Sequence, residues 1–450
     1  MTQPTAPPPS SQFALLTQRR FAPFFGAQFL GAFNDNLFKT ALVTAITFDA
    51  ASWTDLNVGL LNNLIAGLFI LPFVLASATA GQIADKTDKA FLMRAVKLME
   101  IAIMVIAAFG WAMHNLWLLV AAVVGMGLHS TIFGPVKHSY LPQHLSKQEL
   151  IGGNGMVQMG TFVGILTGQL LGAAAMALGG TGVTVIVVAT IAVAVLGLLL
   201  TLMVPSSPPA APDLVISRHV FAESARNLRF SAANREVFIA MLANSWFWFF
   251  GAMILAQFPV YARDVLHGVP EVFAVLLTAF SVGIGAGSLM CERLSGKRLH
   301  LGLVPIGALG LSLFGIDLYI SSTATMPAQV TAASLLWGEQ FRILLDCFLL
   351  GAFGGIYVVP LFALIQTRSE PSHLSRTIGG MNILNALFMV AAALIAMVLL
   401  SIGLSVPGIF LFTALANFAL LILLCVVQPE YLRDARRWLS ERFGRQRLVE

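Results

Sequence analysis

Asn34, Asp35 and Asn36 stand in a row inside a stretch of Phe, Leu, Ala and Gly, and Lys39 lies four residues beyond Asp35. If the stretch is a helix starting near residue 21, Asp35 sits about 21 Å along it at about 1.5 Å per residue. In a lipid-spanning helix that is the middle of the hydrocarbon layer or somewhat beyond it. A carboxylate there costs several kcal/mol unless it is paired or wet. The i, i+4 spacing puts Lys39 on the same face, where it can pair with Asp35. Two readings are open: a carboxylate and an ammonium set out to recognise a zwitterion, or an ion pair stapling this helix to a neighbour. Amides recur at Asn62 and Asn63, Gln158 and Gln169, Asn244 and Gln257, and Asn382 and Asn385. Such side chains turn inward, either toward a cavity or toward each other as interhelical glue. Asn382 and Asn385 share a face at i, i+3. Lys97 and Glu100 have the spacing of a structural pair. Arg342 and Asp346 have that of a local ion pair, structural or part of an outer gate. His129 reads as a hydrogen-bonded packing residue, with a proton carrier as the alternative. Five aromatics run from Trp246 to Phe250, and Trp248 is a candidate wall for an apolar slot, with packing and interfacial anchoring as the alternative.

These residues are few against an apolar background. Hydrophobic residues make up 58% of the 450, charged residues 10%, and the mean hydropathy is +0.84. Soluble domains carry about 25% charged residues, so this chain lacks the polar surface to be soluble at its length; a bilayer removes that requirement. Twelve spans of the necessary length are expected at 21–45, 57–82, 91–113, 115–137, 154–178, 181–204, 235–262, 271–291, 300–321, 339–366, 377–402 and 406–428. Only His114 and its neighbours separate the third from the fourth, which demands a tight turn. Cys291, Cys347 and Cys425 are scattered and read as packing residues; neither a disulfide framework nor a metal site or cofactor is indicated. Residues 1–20 read as a disordered Pro/Ser-rich tail without signal-peptide character. Residues 429–450 read as a basic amphipathic helix lying on an anionic leaflet, with Leu432, Ala435, Leu439 and Phe443 at helical spacing.

With the N-terminus placed inside, twenty-three of the 26 Lys and Arg fall in inside segments, the exceptions being Lys39, Arg263 and Arg342. The positive-inside rule therefore puts both termini in the cytoplasm. It also accounts for the net charge of +5 without a nucleic-acid partner. The segment 205–234, opening Pro-Ser-Ser-Pro-Pro, lies near the midpoint and reads as a cytoplasmic linker between six-helix halves at 21–204 and 235–428. Pro135 with Gly152-Gly153 returns as Pro360 with Gly379-Gly380, offset by 225 and 227 residues. Parallel repeats of six helices are the plan of major facilitator transporters.

The loop after the second span supports that plan. Gly81-Gln-Ile-Ala-Asp85-Lys86-Thr-Asp88-Lys89 resembles the signature loop of the major facilitator superfamily, with a weaker copy at Glu292-Arg293-Leu-Ser-Gly296-Lys297. The resemblance implies an all-α membrane protein with the twelve-helix major facilitator fold and two pseudo-symmetric halves. It also implies that Gly81, Asp85, Lys86, Asp88 and Lys89 form a conformational charge latch; a solvated basic loop is the alternative.

A narrower resemblance spans nearly the whole chain. Gln28-Phe29-Leu30-Gly31-Ala32-Phe33-Asn34-Asp35-Asn36, Gly134-Pro135-Val136-Lys137-His138-Ser139 and Leu150-Ile151-Gly152-Gly153-Asn154-Gly155 look like bacterial lysophospholipid transporters. Ser245 to Gly251, Leu294-Ser295-Gly296 and Asn382 to Phe388 look closest to a branch fused to a glycerophospholipid acyltransferase. The chain has no H-x-x-x-x-D acyltransferase signature; His144 to Glu149 has Glu in place of Asp. A transporter and not an enzyme is therefore expected. The resemblance implies alternating access in the bacterial inner membrane, moving lysophospholipid, above all lysophosphatidylethanolamine, to the cytoplasmic leaflet for reacylation. It implies a monomer, with a separate acyltransferase as partner. Asn34, Asp35, Asn36, Lys39, Gln158, Trp248, Asn382 and Asn385 are the expected substrate contacts, with Asp35 receiving an ethanolamine ammonium. Gln158 and Gln257 stand where free-standing members have Glu and Arg, which bears on head-group preference. The rival expectation is a proton-coupled exporter of small amphiphiles.

Overall fold

The computed structural model describes residues 11–49, 53, 58–217, 219–323 and 329–443. Each expected span is a helix: α1 (Ala22–Phe48), α2 (Val58–Lys86), α3 (Lys89–Ala112), α4 (Leu116–His144), α5 (Leu150–Met176) and α6 (Gly180–Met203). After the helix α7 (Val220–Ala233) come α8 (Arg235–Leu255), α9 (Pro270–Ser295), α10 (Leu303–Thr323), α11 (Phe341–Arg368), α12 (Leu374–Ser401), α13 (Val406–Val427) and α14 (Pro429–Phe443). Local chemistry sets the ends. The Asp88 side chain accepts from Phe91 N at 2.9 Å to start α3. Asn115 accepts from Trp117 N and Leu118 N to start α4. The tight turn between them is made with His114 at φ 50°. Gly296, at φ 60°, closes α9 in the left-handed region that suits glycine.

Ten of the helices are long and apolar enough to cross a membrane by length and composition. The two expected spans outside that set are α1 and α3, the helices that carry Asn34, Asp35, Asn36, Lys39, Lys97 and Glu100.

The helices form two compact units. The first comprises the chain to Gly153, Gly160–Ile239 and Gln366–Ala386; the second comprises Asn154–Met159, Ala240–Ile365 and the chain from Leu387 on. This division differs from the expected halves in three segments, Asn154–Met159, residues 235–239 and Gln366–Ala386. In the first unit α1 lies against α5 along a glycine stripe. A Cβ on Gly164, Gly168 or Gly172 would stand 3.0, 2.4 or 2.6 Å from the carbonyl oxygens of Phe29, Phe33 and Leu37. Only glycine permits so close a backbone approach. In the second unit α9 and α11 do the same reciprocally: Gly283 and Gly287 meet the carbonyls of Phe348 and Ala352, and Gly351 and Gly355 meet those of Phe280 and Ile284.

Three expectations about the connecting segments change. Within the expected disordered tail, residues 1–10 lie outside the described residues, but Gln12–Thr17 form a 3-10 helix capped by Ser11, with Leu15 buried. The linker is a strap: Ala211 N donates to Asp85 O at 2.9 Å, Ser217 N donates to Gln82 Oε1 at 2.7 Å, and α7 buries Glu223, Asn227 and Ser231. The C-terminal helix α14 is docked on protein as well as amphipathic. Trp438 Nε1 donates to Leu294 O at 2.7 Å, Tyr431 is buried, and a Cβ on Gly302 would stand 2.4 Å from Ala435 N.

Candidate functional site

Successive residues of a helix point about 100° apart, so the three consecutive polar side chains of α1 reach three different neighbours. Asn34 Nδ2 donates to Glu100 Oε1 of α3 at 2.7 Å and to Thr190 O of α6 at 3.2 Å. Asp35 Oδ2 accepts the Ser130 hydroxyl of α4. Asn36 Nδ2 bonds back to Ala32 O, and its oxygen lies 3.5 Å from Gln169 Nε2 of α5. The expected Asp35–Lys39 pair does not form. The Lys39 ammonium instead lies over the Phe69 ring, 4.5 Å from its centroid, a cation–π contact. Asp35 is held by α4, because Ser130 and His129 offer a donor and a ring nitrogen on the side it faces.

A buried cluster of charges surrounds this point. Lys97 Nζ and Glu100 Oε2 are 2.6 Å apart with both side chains fully buried, so the expected pair is present. Room for the lysine is made by glycine: a Cβ on Gly31 would stand 3.0 Å from Lys97 Nζ, and one on Gly197 would stand 3.2 Å from it. His129 is more than the packing residue expected. Its Nε2 lies 3.0 Å from Glu100 Oε2 and its Nδ1 lies 4.0 Å from Asp35 Oδ1, so the ring stands between two carboxylates. A buried ion pair persists only when further hydrogen bonds satisfy the remaining lone pairs; Asn34 supplies one to Glu100 Oε1.

The other expected contacts are distributed. Asn382 and Asn385 belong to the first unit, with the four α1 residues; Gln158 and Trp248 belong to the second. Asn382 Nδ2 lies 2.7 Å from where a Gly134 Cβ would be and has no hydrogen-bond partner. Gln158 and Asn385 are buried and Trp248 is half-buried, edge-to-face with Phe247 at 5.8 Å. Phe247, Phe249 and Phe250 are buried, and Trp246 Nε1 donates to Asn417 Oδ1 at 3.0 Å.

The signature loop has its own geometry within the first unit. Asp85, fully buried, accepts from Ser375 N at 3.0 Å, Arg376 N at 3.2 Å and Arg376 Nε at 3.0 Å. Gly81 permits this: a Cβ there would stand 2.8 Å from both Arg376 Cα and Ser375 O. Asp88 caps α3 and accepts from the Ser206 hydroxyl and Ser207 N. Burial alone would raise its carboxyl, but these donors outweigh it and hold the group below the usual range. Lys86 is exposed. Lys89 is buried, its ammonium without a hydrogen bond. Sequence reasoning missed Ser375 and Arg376 as partners of Asp85, although Arg376 appeared among the basic inside residues. It also mispaired Arg342. That guanidinium binds Asp317 of α10, and Asp346 accepts from Ser321 at 3.1 Å, so the expected Arg342–Asp346 pair is replaced. Asp317 carried no signal beyond being an acid in a span.

Ten helices long and apolar enough to cross a membrane define a multi-pass membrane protein. Residues 24–341 match the family model of the Major Facilitator Superfamily, and the chain belongs to that superfamily of transporters. It is 26% identical to a lysophospholipid transporter (LplT) of Klebsiella pneumoniae strain 342 over 361 residues, 77% of this chain and 80% of the relative. It is 24% identical to the transporter of that name in Serratia proteamaculans strain 568, over 79% of this chain and 82% of the relative. Among solved structures, a human organic anion transporter (TETRAN) superposes with a TM-score of 0.70 at 16% identity, over 90% of this chain and 99% of the other. The fucose:proton symporter of E. coli gives 0.67 at 15% identity, over 93% and 98%. These two likenesses define the fold alone.

Proposed function

We propose that the chain moves lysophospholipid across a bacterial inner membrane. The observation that carries this reading is the similarity over more than three quarters of the chain to transporters named for that cargo. The α1 geometry supports it: Asp35 Oδ1 is a buried carboxylate oxygen without a hydrogen bond, a suitable partner for an ammonium. On this reading lysophosphatidylethanolamine is the cargo, Asp35 receives its ammonium, and Lys39 or a water meets its phosphate. Asn382, with its unpartnered amide, Asn34, Asn36, Asn385 and Gln158 line the path, and Trp248 borders the acyl chain.

Movement is toward the cytoplasmic leaflet by alternating access, with both termini cytoplasmic. The working chain is a monomer of two six-helix halves, 21–204 and 235–428, joined by 205–234. Asp85 and Arg376 act as the latch that holds one conformation, and a separate acyltransferase consumes the delivered lipid. The test is reconstitution in vesicles with labelled lysophosphatidylethanolamine added outside, with and without a proton gradient. Protein-dependent uptake that Asp35→Asn abolishes, with the variant folded, supports the reading. No uptake of any lysophospholipid by folded protein, or normal uptake by Asp35→Asn, refutes it.

A further inference from the structure

The last turn of α6 collects two arginines from other parts of the first unit. Arg94 of α3 donates from Nε to Thr201 O at 3.3 Å and from Nη2 to Val204 O at 3.4 Å. Arg19, just before α1, donates from Nε to Met203 O at 3.4 Å. A helix C-terminus leaves carbonyls unpaired and carries partial negative charge, so a cation there is stabilising. A guanidinium carries more N–H donors than these contacts use. Elsewhere in the first unit arginines meet acids: Arg20 pairs with Glu149, Arg226 with Glu223 and Arg376 with Asp85. Among the described residues Arg19 and Arg94 have no carboxylate partner.

The surroundings of the two guanidiniums are apolar and uncovered. Phe91, Arg94 and Leu98 recur at i, i+3 and i+7 on one face of α3. Phe91 and Leu98 are each more than half exposed, and so are Leu202 and Met203 beside the carbonyls. Phe13, on the short helix that precedes Arg19, is equally uncovered. Exposed apolar patches of this kind mark a membrane contact. Arg94 sits about 8 Å into α3 at about 1.5 Å per residue, and its acceptors close α6. Both arginines therefore stand at the ends of spans, where long basic side chains reach from hydrocarbon to head groups. Arg19 is exposed and Arg94 half-buried, so both can be approached from the lipid side.

We propose that Arg19 and Arg94 form a binding site for the phosphodiester of an anionic diacyl phospholipid in the surrounding bilayer, phosphatidylglycerol in type. Guanidinium forks match phosphate oxygens in bidentate fashion. The site offers no carboxylate to an ammonium. A head group with its own cation, as in phosphatidylcholine, therefore brings a charge that the two arginines repel. The apolar flanks select a lipid over a free phosphate. The site uses none of the residues assigned to cargo and holds whatever the cargo is. On the orientation proposed above, the leaflet is the cytoplasmic one. A phosphate held by both arginines ties the residues before α1 to α3 and to the end of α6.

The experiment is thermal unfolding of the delipidated full chain in neutral detergent, with phosphatidylglycerol, phosphatidylcholine or inorganic phosphate added. Native mass spectrometry counts the lipid retained. Phosphatidylglycerol is expected to raise the unfolding temperature with its concentration, and added salt to weaken the effect. Phosphatidylcholine and inorganic phosphate at the same concentrations give no comparable rise. Arg19→Gln and Arg94→Gln keep an N–H for the helix carbonyls and lose the charge. Each should raise the phosphatidylglycerol concentration needed by about tenfold or more and retain fewer phosphatidylglycerol molecules. A lower starting temperature with an unchanged increment from phosphatidylglycerol would show that the arginines are helix caps only, and overturns the site. An equal increment from phosphatidylcholine overturns the head-group selectivity, and one from inorganic phosphate overturns the lipid as occupant. Should Arg94→Gln fail to fold, the exposed Arg19→Gln still decides.

Discussion

Replacing Asp85 with Asn preserves shape and removes one negative charge. The carboxylate serves three donors, Ser375 N, Arg376 N and Arg376 Nε, at 3.0–3.2 Å. An Asn offers one oxygen where there were two, and its amide nitrogen meets a donor. A hydrogen bond involving a charge contributes about 1.5–3 kcal/mol, and breaking a buried ion pair by removing one partner costs about 3–5 kcal/mol. Arg376 keeps a 2.7 Å bond from Nη2 to Ser372 O and has a little access to water, so the lower end applies, about 3 kcal/mol. At about 1.4 kcal/mol per factor of ten, this conformation loses roughly two orders of magnitude against any state in which Asp85 and Arg376 are apart. Spin labels at Lys147 and Arg298, both exposed, report the populations in nanodiscs, and thermal unfolding reports stability. Expected is a second distance population in Asp85→Asn. An unchanged distance distribution with a lowered unfolding temperature would show that the contact is a static staple; no change in either would refute the assignment of any energetic role.

Further outcomes follow from the same geometry. Lys97→Met leaves Glu100 buried beside His129 without its ammonium and should destabilise the fold by about 3–5 kcal/mol, read as a lowered unfolding temperature in detergent. At the N-terminal end of α5, burial alone would raise the Glu149 carboxyl, but Arg20 and the Ser146 amide outweigh it and hold the group below its ordinary value of 4.5. The stabilisation is therefore complete above about that pH and lost as pH falls through the lowered folded value. Glu149→Gln should be less stable than the unaltered chain at pH 7, and the gap should close progressively below pH 4.5. Because α14 is docked through Trp438, Trp438→Ala should loosen it, seen as faster proteolysis after residue 428 with α1–α6 still protected; unchanged proteolysis would return α14 to the role of a surface tail.

The helices were legible because the hydrocarbon layer imposes one length and one polarity on every span, and the boundaries fall at residues such as Asp88, Asn115 and Gly296 whose chemistry ends or starts helices. The partners were not. Asp35 and Lys39 at i, i+4 permit a pair, yet Asp35 turns to Ser130 and His129, ninety-odd positions away in the chain, and Lys39 takes an aromatic face. Arg342 had the same local option in Asp346 and took Asp317. Spacing on one helix states what can touch; a neighbouring helix with a better-placed acceptor decides what does. Lys97, threaded between α1 and α6, needed Gly31 and Gly197. Such a requirement is written in two other helices and is invisible from α3.

The same comparison explains why α1 and α3 are the expected spans that fall outside the set of helices apolar enough to cross a membrane by composition. The buried charges of the cluster are met within the first unit: Lys97 by Glu100 on its own helix, Glu100 by Asn34 of α1, and Asp35 by Ser130 of α4. The second unit differs. Its acid Asp346 sits one turn into α11, with Asp317 and Arg342 at the rim, while α8 brings a run of aromatics from Trp246 to Phe250. An amphiphile requires two kinds of surface, fixed charge for a head group and apolar walls for a tail. On the proposed function, substitutions in the Asp35 cluster should alter head-group selectivity and those at Trp248 acyl-chain selectivity. A Trp248→Ala variant that changed head-group preference while leaving chain-length preference intact would break that division.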